Sequence, residues 1–263
     1  MTAFVSRVLV AVVLLPLVLL LIWAGGWWLI GLAAAAAVLA LHELYGMTRT
    51  LRPVVLAGYA GTLSALVGAA WGPEWALAGF LSTFGFAFVF KGLAGVRPTT
   101  VSIAATLLGA AWIGLGLAHM VLIREIPEHG TLATMTVLFA VFAADTAAFA
   151  AGRLFGRHKL APRTSPGKTW EGLAVGTIAA VLVPFFALYE EGFLDVPESL
   201  ALGGAIAVAA PIGDLFESAL KRDAGVKDTG RLLLGHGGVL DRIDALLFAA
   251  VASYYLLLAF GAA

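Results

Sequence analysis

Apolar residues in this chain do not alternate with polar ones at the spacing of a surface helix or a half-buried strand. They come in long runs, rich in Leu, Ala and Val, separated by short polar stretches. Nine runs stand out, at 8–24, 27–45, 54–71, 75–90, 101–123, 131–151, 172–189, 200–220 and 243–261. Roughly 20 helical residues cross a hydrocarbon layer about 30 Å thick, and a chain inside it must satisfy its amides within the segment. Transmembrane strands would be short and alternating, which these runs are not. The pattern predicts an all-α, polytopic integral membrane protein of about nine transmembrane helices. The first run, after Arg7, has the look of a secretory signal, but eight further spans follow it and a retained helix is the simpler account.

Of the 263 residues, 61% are hydrophobic and 12% charged, which excludes an ordinary water-soluble domain, a disordered chain, a coiled coil and a collagen-like repeat. Sixteen basic and sixteen acidic side chains cancel, so net charge points to no polyanionic partner and nucleic acid is not expected. The absence of cysteine removes disulfides, thiolate nucleophiles and Cys-based metal sites. Sorted by loop, every Lys and Arg except Arg124 falls on one side, from Arg7, Arg49 and Arg52 through Lys91 and Arg97 to the loops after the sixth and eighth runs. The positive-inside rule makes that side, and the amino terminus, cytoplasmic. Trp23, Trp27, Trp28, Trp71, Trp75, Tyr45 and Tyr189 fall near helix ends, where amphipathic rings settle. Two cytoplasmic loops, 152–171 and 221–242, are long enough to build a site. The chain thus divides into helices 1–5 (residues 1–130) and a second part, helices 6–9 with both loops (131–263), where a site is expected.

Ionisable groups inside a membrane are expensive and mark function. Asp145 and Asp214 each lie about seven residues before one of these loops, roughly 10 Å inside a helix end. Asp214, Glu217, Ser218 and Lys221 share one helical stripe, and Asp241 and Asp244 are i, i+3 neighbours. Carboxylates so spaced suit a hard cation such as Mg²⁺, whereas ion pairs among Asp241, Arg242, Lys221 and Glu217 are the competing account. Between the stripes, Gly235, His236, Gly237 and Gly238 precede a helix, where backbone N–H groups can receive phosphate, with Arg222, Lys227, Asp228 and Arg231 nearby. Gly167-Lys168-Thr169 mimics the end of a P-loop, but Pro162 stands where the first glycine belongs, and no strand of a soluble NTPase precedes it. Its loop still offers Arg163, Ser165, Lys168, Thr169 and Glu171. His42 and Glu43, near the cytoplasmic end of the second helix, are read as snorkelling to the headgroups. His119, Arg124 and His129 lie towards the outer face and are assigned no role.

Ser218, Lys221 and Arg222, then Lys227 and Asp228, then His236, Gly237, Gly238, Asp241, Arg242 and Asp244, in this order and spacing, resemble the signature of the phosphatidate cytidylyltransferase (CDP-diacylglycerol synthase) family. Asp145-Thr146, then Gly152-Arg153, Gly156, His158-Lys159 and Pro162-Arg163, then Ser165-Pro166 and Lys168 to Gly172, resemble its second block. Together these cover the carboxyl-terminal half. Leu234 departs from an expected proline, Ala147 from glycine and Gly167 from a frequent lysine.

The resemblance implies transfer of CMP from CTP to phosphatidate, with Mg²⁺ and a second cation left open, in a homodimer embedded in the cell (inner) membrane. Metal ligands would be Asp214, Asp241, Asp244 and Asp145. Lys221, Lys227, Asp228, His236, Arg242 and Lys168 would be catalytic, and Arg163, Ser165, Thr169, Glu171, Ser218, Arg222, Gly237 and Gly238 would bind substrate. The charge chemistry agrees: a triphosphate and a phosphate monoester repel, so metal and cationic clamps are needed more than a strong base. Two other readings are a cytidylyltransferase for an isoprenoid or polyprenol phosphate and an ion-coupled transporter.

Overall fold

A computed structural model describes residues 3–93, 99–230 and 237–262, without the side chains of 3–11, 13 and 190. Arg97, Arg231, Leu234, Gly235 and His236 lie outside the described residues, as does the side chain of Arg7. Ten helices run in order: α1 (Ala3–Ala24), α2 (Gly26–Met47), α3 (Val55–Gly68), α4 (Pro73–Ala87), α5 (Thr99–Gly109), α6 (Gly116–Arg124), α7 (Gly130–Phe155), α8 (Trp170–Leu188), α9 (Val196–Asp223) and α10 (Leu240–Ala259). A wide π-type turn at Ala110–Leu115 joins α5 to α6, giving one apolar span over Thr99–Arg124. Among the described residues, seven helices are long and apolar enough to cross a membrane, while Leu14–Ala24 and α3 form shorter apolar segments. At 1.5 Å per residue the 14 residues of α3 reach about 21 Å, less than a bilayer core. The chain is an all-α polytopic membrane protein.

One expectation is corrected in the first long loop. Helix α7 continues to Phe155, and the rest is a hairpin of β1 (Lys159–Ala161) and β2 (Ser165–Thr169), antiparallel, with Lys159 opposite Thr169. A short link between two helices satisfies its amides by pairing with itself, a choice that leaves no hydrophobic period to read. The extensions of α7 and α9 also deepen two carboxylates. Asp145 and Asp214 sit ten and nine residues from their helix ends, roughly 14 Å rather than 10 Å.

The chain forms two compact units, Met1–Glu125 with Ala224–Ile243, and Ile126–Asp223 with Asp244–Ala263. The segment from Ala224, which covers most of the second long loop, belongs to the same unit as the amino-terminal helices. In the first unit, α3 and α4 approach closely through Gly61 against Thr83 and Gly68 against the backbone of Trp75. Small residues at such contacts let backbones pack where lipid provides no hydrophobic drive between helices. Tyr45 is buried and donates to the Thr106 carbonyl at 2.8 Å, so it belongs to this packing and not to an interfacial belt. The five tryptophans named above are all more than half exposed. Arg124 ties α6 to α1, with Nε 3.0 Å from the Ile22 carbonyl and Nη2 3.0 Å from that of Trp23, capping carbonyls that have no partner within α1.

The second unit is built from α7, the hairpin, α8, α9 and most of α10. Gly176 packs against the Ala144 carbonyl, and Gly203 against Val181 and Ala180. Gly213, one residue before Asp214, meets the Asp244 carbonyl and Ala245, so a side chain there would push α9 and α10 apart.

Candidate functional site

That close approach through Gly213 brings acids from α9 and α10 together. One carboxylate oxygen from each of Asp214, Glu217 and Asp244 lies within 4.8 Å of the others. Asp214 and Glu217 are one turn apart on α9, and Asp244 enters from the second turn of α10. Glu217 is 1% and Asp244 7% exposed, whereas Asp214 is open enough to meet a ligand. Asp145, on α7, is near enough to Asp214 and Lys168 for their charges to act on it.

Two lysines answer this charge. Lys221 Nζ donates to Glu217 Oε2 at 2.6 Å, and Lys168 Nζ lies 2.5 Å from Asp214 Oδ2. The second contact explains the hairpin's role: β2 ends at Thr169, whose hydroxyl caps α8 by accepting the Gly172 N–H at 3.1 Å, and this holds Lys168 at the cluster. Arg222 Nε donates to the Thr164 carbonyl at 3.2 Å, tying the hairpin's turn to α9. Ser218 Oγ donates to Asp214 Oδ1 at 3.4 Å.

The donor set fits a divalent cation. It consists of hard carboxylate oxygens, and Glu217 Oε1 is buried without a hydrogen-bond donor. Like charges so close in a low dielectric repel unless a cation or proton lies among them. Asp214, Glu217 and Asp244 are the residues that would hold it, with Asp145 near.

The other expected residues have the following surroundings within their own units. Glu171 pairs with His158, Oε1 to Nδ1 2.6 Å, and receives the His158 N–H at 3.3 Å. Thr169 is buried at its cap. Arg163 lies exposed at the hairpin turn and Ser165 opens β2. Lys227 and Asp228 are exposed in the segment before α10, as is Arg242 in the first turn of α10. Asp241 belongs to the first unit, where its carboxylate accepts the N–H of Gly238 at 2.8 Å and of Thr229 at 3.2 Å. This changes the reading of the glycine segment. The amide of Gly238, expected to be open to phosphate, already donates to Asp241, and the neighbouring amides of Val239 and Leu240 donate to Glu43. A helix N-terminus attracts anions, and here two side chains of the chain itself fill that role.

Glu43 therefore does not snorkel; it is buried. Sequence reading missed it because its partners lie 186 to 197 residues away. The available signal was an acid inside an apolar helix. Glu217 was recognised as part of the α9 stripe but not as a cation ligand.

A model of the Cytidylyltransferase family matches residues 5–260. A protein from Mycobacterium bovis named phosphatidate cytidylyltransferase is 31% identical over 263 residues, covering 92% of this chain and 84% of that protein. One of the same name from Staphylococcus haemolyticus is 32% identical over 249 residues, covering 92% and 94%. One from Haemophilus influenzae is 43% identical over 128 residues, 47% of this chain and 44% of that protein. With one family pattern spanning nearly all its helices as well as the acidic cluster, the chain belongs to the Cytidylyltransferase family.

Proposed function

We propose that this chain transfers the CMP group of CTP to phosphatidate, giving CDP-diacylglycerol and pyrophosphate, in a divalent-cation-dependent reaction at the cytoplasmic side of the cell membrane. The observation that carries the reading is the cluster of Asp214, Glu217 and Asp244 with Lys168 and Lys221 paired to it, in a chain whose full-length relatives bear the name of that activity. The phosphatidate oxygen attacks the α-phosphorus of CTP, the bond to the β-phosphate oxygen breaks, and pyrophosphate leaves with the electron pair. A phosphate monoester with a second pKa near 6 is largely ionised at neutral pH, so no strong base is required. A bound Mg²⁺ supplies charge neutralisation on the nucleotide phosphates. Lys168, partly buried and held by the hairpin, would exchange Asp214 for a phosphate oxygen, and Lys221, 2.6 Å from Glu217 Oε2, would hold that side chain in its orientation. Asp145 adds negative charge on the α7 side.

The same proposal includes nine membrane-crossing segments and a cytoplasmic amino terminus, supported by the confinement of Lys and Arg to one set of loops. A homodimer rests on the family resemblance. The active site then serves a water-soluble nucleotide and a lipid headgroup from one leaflet.

The test is incorporation of label from CTP into lipid by purified protein given dioleoyl phosphatidate, with Mg²⁺ and with a chelator. Lipid-borne label and stoichiometric pyrophosphate, lost on chelation, are expected. No label with any phosphatidate would overturn the reading, and label only with isoprenoid ether phosphatidate would keep the chemistry and change the lipid. Arg124→Ala, at the face proposed to lie outside, serves as a control. It should lower stability by about 1–2 kcal/mol through two lost hydrogen bonds, seen as a reduced thermal midpoint in detergent. Turnover should remain within about twofold of the parent, since Arg124 is the basic residue sorted to the face opposite the basic loops; a large loss would contradict the proposed site.

A further inference from the structure

Glu43 lies four residues before the end of α2 and is 4% exposed. Its carboxylate accepts three hydrogen bonds: the Thr229 hydroxyl at 3.1 Å, the Val239 N–H at 3.0 Å and the Leu240 N–H at 2.9 Å. Gly230 and Gly238 press against the same carboxylate, and a Cβ on either would collide with it. Asp241 closes the arrangement by accepting the N–H groups of Thr229 and Gly238. Two acids thus pin Thr229 beside the start of α10, and the two ends of the intervening segment are held together. A buried carboxylate is tolerated only when paired or fully hydrogen-bonded, and charge-assisted bonds in a low dielectric are strong and directional. Negative charge at the first turn of α10 also complements the helix dipole.

Helix α10 carries Asp241 in its first turn and Asp244 one turn further on. We propose that Glu43 is a positioning residue for this helix: by clamping Thr229 to the amides of Val239 and Leu240, it sets the rotation and height of the first turn of α10 and so aims the carboxylates that follow. The inference rests on the reading that Asp244 helps to hold a divalent cation. Glu43 acts through the backbone, by its bonds to Thr229, Val239 and Leu240. Residues that orient metal ligands typically change metal affinity or activity by roughly 10–100-fold when removed.

Three measurements on full-length protein in detergent test this. Mn²⁺ binding is read from the loss of the free-ion electron paramagnetic resonance signal. Turnover is measured against Mg²⁺ concentration, and hydrogen exchange is followed for peptides covering 237–243. Glu43→Gln keeps the volume but replaces one acceptor with a donor. It should weaken Mn²⁺ binding and raise the Mg²⁺ needed for half-maximal turnover by about tenfold or more, with excess Mg²⁺ restoring most of the rate. Exchange should accelerate in 237–243 and stay unchanged in α7 and α8. Glu43→Asp, which keeps the charge on a shorter arm, should fall between the two. Should Glu43→Gln fail to fold, Thr229→Val, which removes one donor, decides by the same readouts with a smaller shift. Parent-like Mn²⁺ affinity in the variant overturns the inference, as does a lower rate with no change in Mg²⁺ dependence, the mark of a merely structural residue. If the parent itself binds no Mn²⁺, the metal site falls and this inference with it. If the parent binds Mn²⁺ but makes no CDP-lipid, only the substrate reading falls.

Discussion

Asp214→Asn should reduce Mg²⁺-dependent CDP-lipid formation by roughly a hundred- to a thousandfold, the range seen when one preorganised electrostatic group is removed from an active site. The variant is nearly isosteric, and the surroundings explain why it should still fold. Asp214 is partly exposed, and its neighbours are a flexible lysine and a serine. Asn can accept from Ser218 as the carboxylate does. What it lacks is charge: the cluster drops from three carboxylates to two, and Lys168, on the hairpin, loses its partner. Both defects fall on the groups proposed to bring two polyanions together. Initial rates across Mg²⁺ concentration, with a thermal midpoint from the same preparation, provide the check. Parent-like turnover in a folded variant would remove Asp214 from the site.

Lys221→Met should be the most damaging change to stability. Lys221 is 13% and Glu217 1% exposed in their side chains, and their oxygen–nitrogen separation is 2.6 Å. Removing the ammonium leaves a buried carboxylate among other acids, and breaking a buried pair from one side costs about 3–5 kcal/mol. For a chain of this size, that corresponds to a fall in midpoint of roughly 6–20 °C. Turnover should be lost as well. The pair can be separated from the chemistry by the double variant Lys221→Met with Glu217→Gln, which removes the stranded charge. It should recover much of the stability while remaining inactive. If Lys221→Met alone melts with the parent, Glu217 is not an ionised partner of Lys221, and the electrostatic account of the cluster fails.

Length and hydropathy determined the class of this protein before any coordinates. A bilayer imposes a single rule on the backbone, and the apolar runs are helical, seven of the helices among the described residues being long and apolar enough to span it, with α10 starting at Leu240 and not at 243. The α9 acids were also legible, because i, i+3 and i+4 spacing on a known helix places side chains on one face without reference to the rest of the fold. The hairpin at 159–169 was not, since its pairing follows from backbone closure and carries no apolar period.

Tertiary contact decided the remainder, and the two acids Glu43 and Asp241 show why. Both sit on helices whose positions were foreseen, and their local sequence supported snorkelling for one and metal binding for the other. Glu43 is committed instead to amides almost two hundred residues away, and Asp241 to the amides of Gly238 and Thr229. Glu217, legible as part of the α9 stripe, is brought into the acidic cluster only by the approach of α10 at Gly213. Periodicity records which way a side chain faces on its own helix. Which group meets it is a property of helix packing, where the energy of a buried carboxylate depends on partners that no local window of sequence contains.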